Sequence, residues 1–316
     1  MTITQLQYLI AVAEHQNFTI AAEKSFVTQP TLSMQISKLE EELNVKIFDR
    51  GTKPIKLTEV GTKIVEQARK VVIEAERMQD IVSIEKGFIG GPYRLGIIST
   101  VMPTLLPMFL STFVKRYPKV NLIIRELTTD EILTGLREGK LDAAIAATPL
   151  ETSDLIERPL YYEPFVGYIP EGHRLNEKTE LKAEDLNLEE VLLLQDGHCF
   201  RDNILNLCDM NLNNRDKKFT IESGSFETLV QLSDERMGMT LLPYLHTLGL
   251  KENQKKGLKH FEKPEPAREI SLIYSKSELK IQITEALREV ISGIIRGAIS
   301  FHDVQIISPK QKERFR

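Results

Sequence analysis

The pattern that most restricts this chain is a narrow apolar stripe between Glu59 and about Lys86, in which Ile64, Ala68, Val71, Ala75, Met78 and Val82 step alternately by four and three. Such spacing draws one thin seam along a long helix, and a thin seam packs on a partner helix in preference to a broad globular core. The stripe stops at "GFIGGPY" (87–93), whose three glycines and one proline break a helix. The chain is therefore expected to form separate bodies joined by a helix and a hinge, with the helix as a dimer seam. A length of 316 residues, more than one hydrophobic core usually organises, agrees with this.

Ahead of the stripe, Leu6, Leu9, Ile10 and Ala13 keep helical spacing over 4–15, with Thr4 as a candidate N-cap. A second helix follows, with Thr19 as its cap and Ala21 and Ala22 small enough for close packing. Next, Leu32, Ile36, Leu39 and Leu43 form one buried stripe behind a Thr28 cap, with Pro30 tolerated in the first turn. The tight connection between 19–26 and 28–43 reads as a helix-turn-helix with 28–43 as the recognition helix. Away from the stripe this helix carries hydroxyls, amides and a cation, groups suited to base edges and phosphates. "VKIFDRGTKPIKLTEVG" (45–61) then alternates like a hairpin with Arg50, Lys53 and Lys56 at its tip, a wing able to meet a nucleic-acid backbone. Candidate DNA contacts are Thr28, Gln29, Pro30, Thr31, Ser33, Gln35, Lys38, Arg50 and Lys53. Charge counting alone does not decide the matter, because residues 1–58 hold six Lys/Arg against six Asp/Glu and the whole chain carries −4. The acids Glu40, Glu41 and Glu42, however, cluster at the far end of the recognition helix, so its N-terminal turns favour phosphate.

Beyond the hinge, strand-like and helical runs alternate: 93–98, 104–117, 120–127, 130–139 and 142–147. Later runs at 191–195, 218–223, 226–238 and 239–243 resemble a second unit of the same kind, closed by a strand at 268–275 and a helix at 280–298. This order predicts an α/β fold with a mainly parallel, doubly wound sheet in two lobes. Ligands in such folds sit at the carboxyl ends of strands, where Thr100, Thr128 and Thr129 fall, although threonines there also serve simply as turn formers. No Gly-rich phosphate loop, paired-His metal motif or G-x-S-x-G elbow occurs, so no cofactor or metal is expected. With no leader-like N-terminus and no apolar run near the roughly 18 residues of a membrane span, the protein is expected in the cytoplasm without membrane contact. The last residues, "SPKQKERFR", read as a solvated basic tail.

Both cysteines of the chain lie in "DGHCFRDNILNLC" (196–208). From the residues alone they are either small buried hydrophobes or a reactive thiol pair, and their spacing with His198 is unlike a zinc site.

The stretch "AAEKSFVTQPTLSMQISKLEEELNVKIFDR" followed by "LTEVG" resembles the winged helix-turn-helix and linker of the LysR-type transcriptional regulators. That resemblance extends over almost the whole chain. It implies a DNA-binding domain at 1–58, a linker and dimerisation helix at 59–88, a two-lobed effector domain at 89–305 similar to periplasmic binding proteins, and a tail at 306–316. Within that family "LQDGHCFRD", Cys208, "GMTLLP" and "KPEPAREISLIY" are similar to its peroxide-sensing members. The similarity implies that Cys199 is the peroxidatic thiol and Cys208 the resolving one. It further implies that Thr100, Thr129, His198 and Arg268 match pocket residues that bind or orient peroxide. Promoter DNA, RNA polymerase, cellular thiol-disulfide reductants, a homodimer and a homotetramer are the implied partners; a stoichiometric sensor, not an enzyme, is the implied role. The competing expectation is a LysR-type regulator that binds a small metabolite between the lobes.

Thiols attack peroxide as thiolates, and His198, Arg201 and a helix N-terminus at "CFRDNILNL" are candidates to favour that form at Cys199. Should 200–208 be helical, nine residues of separation put the Cα atoms roughly 13 Å apart, against about 4.4–6.8 Å for a disulfide. Closure would then require the segment to unwind; in a loop it would not.

Overall fold

The computed structural model describes residues 1–85, 89–150, 152–208, 223–299 and 304–309. Two compact units divide the chain: Met1–Phe88 with Arg137–Lys140, and Ile89–Leu136 with Leu141–Arg316.

In the first unit α1 (Ile3–His15), α2 (Phe18–Lys24) and α3 (Gln29–Leu43) pack around Leu6, Leu9, Val12, Ala21, Ala22, Leu32, Ile36 and Leu39. Two caps lie earlier than the sequence suggests. Thr2, not Thr4, caps α1, because its hydroxyl accepts from Gln5 N while the Gln5 side chain returns to the Thr2 N–H. Asn17, not Thr19, caps α2 by accepting from two backbone N–H groups. Thr28 caps α3 as expected, and the helix ends at Asn44 in the left-handed region (φ 52°), which leaves Leu43 exposed. The strands β1 (Phe48–Asp49) and β2 (Lys56–Leu57) pair antiparallel as the wing. Glu40 does not belong to the solvated acids: its side chain is buried and accepts from Ile47 N and Phe48 N, bolting the wing to α3. The long α4 (Glu59–Glu85) uses Val65, Ala68 and Val72 in this core and leaves Met78, Ile81 and Val82 exposed. Its first half thus serves its own unit: Ala68 of the expected seam is buried there, and Ile64 and Val71 pack against the same core.

The second unit begins with β3 (Gly91–Ile98), α5 (Met102–Arg116), β4 (Val120–Leu127), α6 (Thr129–Arg137) and β5 (Ala143–Thr148), three parallel strands in the order β4-β3-β5. A strand the sequence did not suggest follows, the 14-residue β6 (Leu155–Tyr168), disguised by Pro159 and Pro164. Then come β7 (Glu180–Leu181), β8 (Val191–Leu192), α7 (Cys199–Leu207), α8 (Phe226–Asp234), β9 (Met239–Pro243), α9 (Tyr244–Thr247), α10 (Glu252–Lys255), β10 (Leu258–Phe261), β11 (Glu265–Ser275), α11 (Ile281–Ala298) and β12 (Val304–Ile306). The strand expected at 218–223 falls largely outside the described residues.

The pairing is mixed. The pairs β3 with β4 and β5, β8 with β9, β7 with β10 and β11 with β12 are parallel, whereas β11 runs antiparallel to β5 and β6, and β6 antiparallel to β9 and β10. The long strands β6 and β11 pass from one lobe to the other and give the unit two cores. One is built on Leu95, Ile97, Phe109, Ile145, Leu272 and Leu287; the other on Phe165, Leu192, Phe200, Leu241 and Phe261. Cys199 packs in the first core and Phe200, its neighbour, in the second, so α7 starts at the seam between lobes. The expected tail is shorter than the sequence suggests, since β12 pairs with β11 and Ile307 N donates to the Ala267 carbonyl. Residues 310–316 of that tail lie outside the described residues.

Candidate functional site

Three helix N-termini converge near Cys199. It is the first residue of α7, Thr129 is the first residue of α6, and Thr100 sits on the turn leading from β3 into α5. Peptide dipoles leave such ends partly positive and rich in N–H donors. Thr129 is held there because Thr128, just before α6, exchanges hydrogen bonds with Glu131, which keeps the Glu131 carboxylate pKa low. Thr129 Oγ1 lies against the Cys199 sulfur, yet it is buried and closes no hydrogen bond of good geometry among the described residues.

Arg268 and Glu163 stand opposite each other in the register of β11 and β6, at the crossover between lobes. The guanidinium donates from Nε and Nη2 to Glu163 Oε2 at 3.0 and 2.8 Å, and from Nη1 and Nη2 to the Thr100 hydroxyl and carbonyl at 2.9 and 3.1 Å. Its carbon lies 5.0 Å from the centroid of the Phe200 ring, which stacks edge-on with Phe165 and Phe226. With 0% and 1% side-chain exposure the pair is dry, so its charges act on neighbours with little screening.

Cys199 itself is 7% exposed. Burial raises its pKa; the Arg268 charge, the Thr129 hydroxyl and the Ala147 backbone N–H pull it down without overcoming that burial. The net direction is upward: desolvation of the buried sulfur outweighs the nearby cation and donors, so the groups expected to favour a thiolate act against burial. His198 supplies no cation either. Burial lowers its pKa, and its Nδ1 shares a hydrogen bond with Ser99 Oγ at 3.0 Å. A methyl added at Gly224 would sit 2.9 Å from His198 Nε2, so that glycine is needed for the ring to fit. Arg201, expected beside the thiol, pairs instead with Asp196 at 2.8 Å and donates to the Leu194 carbonyl at 3.0 Å, clamping the turn before α7. Cys199 and Cys208 are not joined in a disulfide; one is buried and one half-buried, at opposite ends of the helix.

Thr100, Thr129, His198, Cys199 and Arg268 thus come together, while Arg201 and Cys208 stand apart. Sequence reasoning passed over Glu163, Ser99 and Phe200. A single acid amid "YYEPF" was a signal for the first, because an acid in so apolar a run needs a buried partner.

On the first unit, Thr28, Gln29, Pro30, Thr31 and Lys38 are exposed along α3 and Lys53 is exposed on the wing, as a nucleic-acid face requires. Gln35 is partly engaged, accepting from Gln5 Nε2 at 3.2 Å. Arg50 folds back from the wing to Ser33, Ser37 and Glu40 and lies 5.1 Å from the Phe18 ring centroid, so it ties wing to helix instead of projecting from the tip. Among the described residues no group of three or more metal-ligating side chains occurs, and no helix is long and apolar enough to cross a membrane.

Comparison with known proteins agrees with this anatomy. Residues 3–62 match the bacterial regulatory helix-turn-helix protein, lysR family, and residues 86–293 match the LysR substrate binding domain. The hydrogen peroxide-inducible genes activator of Pectobacterium carotovorum is 36% identical, covering 93% of this chain and 98% of the relative. The DNA-binding transcriptional dual regulator OxyR of Escherichia coli is 36% identical over 93% of this chain and 97% of its own length. A full-length OxyR variant from Pseudomonas aeruginosa superposes with a TM-score of 0.75 at 33% identity, covering 92% of this chain and 98% of that one. An OxyR mutant from Corynebacterium glutamicum with hydrogen peroxide bound gives 0.60 at 30% identity, covering 94% of this chain and 93% of that one. The chain belongs to the LysR family of bacterial helix-turn-helix transcriptional regulators and, within it, resembles the hydrogen peroxide-inducible genes activators.

Proposed function

We propose that this chain is a peroxide-sensing transcription regulator switched by a reversible disulfide between Cys199 and Cys208. The observation that carries the reading is that both cysteines bound one helix, Cys199 as its first residue and Cys208 as its C-cap. Nine helical residues hold the Cα atoms about 13 Å apart, well beyond the 4.4–6.8 Å, roughly, that a disulfide allows. Disulfide closure and unwinding of α7 are therefore one event.

The chemistry balances with two thiols and one peroxide. As Cys199 loses its proton, its sulfur attacks a peroxide oxygen, the O–O bond breaks, and the departing hydroxide takes up a proton to leave as water. The resulting sulfenic acid is attacked by the Cys208 sulfur; S–S forms, S–O breaks, and a second water leaves with the Cys208 proton. Thr129 Oγ1, buried without a partner of good geometry among the described residues, is suited to hold a peroxide oxygen, and Arg268 with Thr100 supplies positive potential as charge develops. His198 is suited to neutral hydrogen bonding there. One peroxide is consumed per switching event, so the protein is a sensor and not a turnover enzyme.

Refolding of 199–208 would change contacts between regulatory domains and so the geometry of the DNA-binding units. In this reading the chain acts in the cytoplasm as a homodimer through 59–88 and a homotetramer. Its oxidised form works with RNA polymerase at antioxidant promoters, and cellular thiol-disulfide reductants reset it. A regulator that binds a metabolite between the lobes is less well supported, since Thr100, Glu163 and Arg268 fill that seam with one another.

Limiting hydrogen peroxide should remove two hydrogens from the mass of the chain and yield a Cys199–Cys208 cross-linked peptide. Thiols left unchanged, or a Cys199→Ser variant that still responds fully in a transcription assay, would refute the proposal.

A further inference from the structure

Residues 304–309 hold down the helix that carries both cysteines. Asn203, 0% exposed, donates from Nδ2 to the Ile307 carbonyl at 2.7 Å. Three residues on, Asn206 donates from Nδ2 to the Ser308 carbonyl at 2.9 Å. That spacing puts both amides on one face of α7. On its other edge the same segment pairs with strand β11: Val304–Ile306 runs parallel to Glu265–Ala267, and Ile307 N donates to the Ala267 carbonyl at 2.8 Å. Ile307 packs against the second core and Pro309 is buried. Residues 304–309 thus form a strap between the redox helix and the strand whose next residue is Arg268.

The strap and the helix need each other. Asn203 Oδ1 has no hydrogen-bond partner among the described residues, so the bond to Ile307 is what satisfies this buried amide. A wound α7 without the strap would keep a wholly unpaired amide in a dry site, which is unfavourable.

We propose that the strap is a latch: Asn203 and Asn206 are positioning residues that keep α7 wound, hold Cys208 away from Cys199, and so set the rate at which the sulfenic acid is resolved. The redox consequence rests on the peroxide-sensing reading above. In the affected step the Cys208 sulfur displaces hydroxide from the Cys199 sulfur, S–S forming as S–O breaks, and hydroxide leaves as water with the Cys208 proton. Unwinding must break the two amide contacts before the sulfurs meet. The latch therefore belongs to the barrier of resolution and not to that of the first attack, for which α7 stays wound.

The test compares the full chain with one ending at Asp303 and with an Asn206→Ala full chain, the second variant remaining informative should truncation disturb folding. Hydrogen exchange of the reduced proteins needs no peroxide. Amides in 203–208 should exchange roughly tenfold faster in Asn206→Ala, the effect of losing about one hydrogen bond of ordinary net strength, and faster still in the truncated chain, which loses both amide contacts. After a peroxide pulse with rapid thiol trapping, the Cys199 thiol should disappear at an unchanged rate in both variants while the disulfide appears about tenfold sooner in Asn206→Ala, the same bond's worth of barrier, and at least as much sooner in the truncated chain. Unchanged exchange in both variants overturns the latch whatever the cysteines do. Equal acceleration of thiol loss and disulfide formation overturns its assignment to resolution. A parent chain that forms no disulfide, with variants that still exchange faster, refutes the peroxide reading and the redox role while leaving a strap that holds the helix.

Discussion

At the scale of single residues, the balance of burial against charge decides the chemistry of Cys199. Its environment raises the thiol pKa, so across neutrality the neutral form dominates and each pH unit multiplies the small thiolate fraction. Stopped-flow oxidation of Cys199 by hydrogen peroxide should accelerate by about tenfold per unit between roughly pH 6 and 8; a plateau in that window would show a thiolate already formed. Arg268 and Glu163 set a second residue-scale expectation. Removing one member of a buried ion pair strands the other charge. Glu163→Ala should lower unfolding free energy by about 3–5 kcal/mol in denaturant titration, with Glu163→Gln, which keeps the Leu245 N–H acceptor, less affected. Equal stability of Glu163→Ala and the parent would mean that Arg268 finds solvent or another partner.

Among the elements, the wing depends on one carboxylate. Glu40 receives Ile47 N, Phe48 N and Arg50 Nη2, so one side chain fixes both the start of β1 and the cation that reaches back from it. Glu40→Ala would orphan two buried backbone donors at about 1–3 kcal/mol each. The melting temperature of the DNA-binding unit and its affinity for duplex DNA should fall together; a loss of affinity with no loss of stability would point to a direct role at DNA. Among the strands, β6 and β11 matter most for the site. Their antiparallel register alone brings Glu163 to Arg268, and the same two strands carry the connection between lobes.

At the scale of the whole molecule, α4 divides its apolar surface between two tasks. Val65, Ala68 and Val72 complete the core of the first unit, whereas Met78, Ile81 and Val82 are 64%, 49% and 53% exposed. Exposed apolar residues at helical spacing suit a second copy of the helix. A Met78→Glu, Val82→Glu double variant should run as a monomer in light scattering at micromolar concentration while its parent runs as a dimer or larger; an unchanged mass would move the dimer contact elsewhere. The strap adds another long-range contact, since residues 304–309 reach both β11 and α7.

What the sequence determined by itself was whatever depends on neighbours along the chain: the stripe of α3 and its Thr28 cap, the extent of β4 and β9, the break after α4, and the two cysteines bounding a possible helix. These follow from periodicity and capping, which act over a few residues. It did not show that Glu40 is an anchor, that Arg201 faces Asp196 and not the thiol, that β6 is a strand at all, or that burial raises the pKa of Cys199. Each of those depends on partners far away in the chain, such as Ile47 for Glu40 and Arg268 for Glu163. Burial here outweighs charge, and burial is a property of the folded core: only there is the pKa of a thiol flanked in sequence by a histidine and an arginine pushed up.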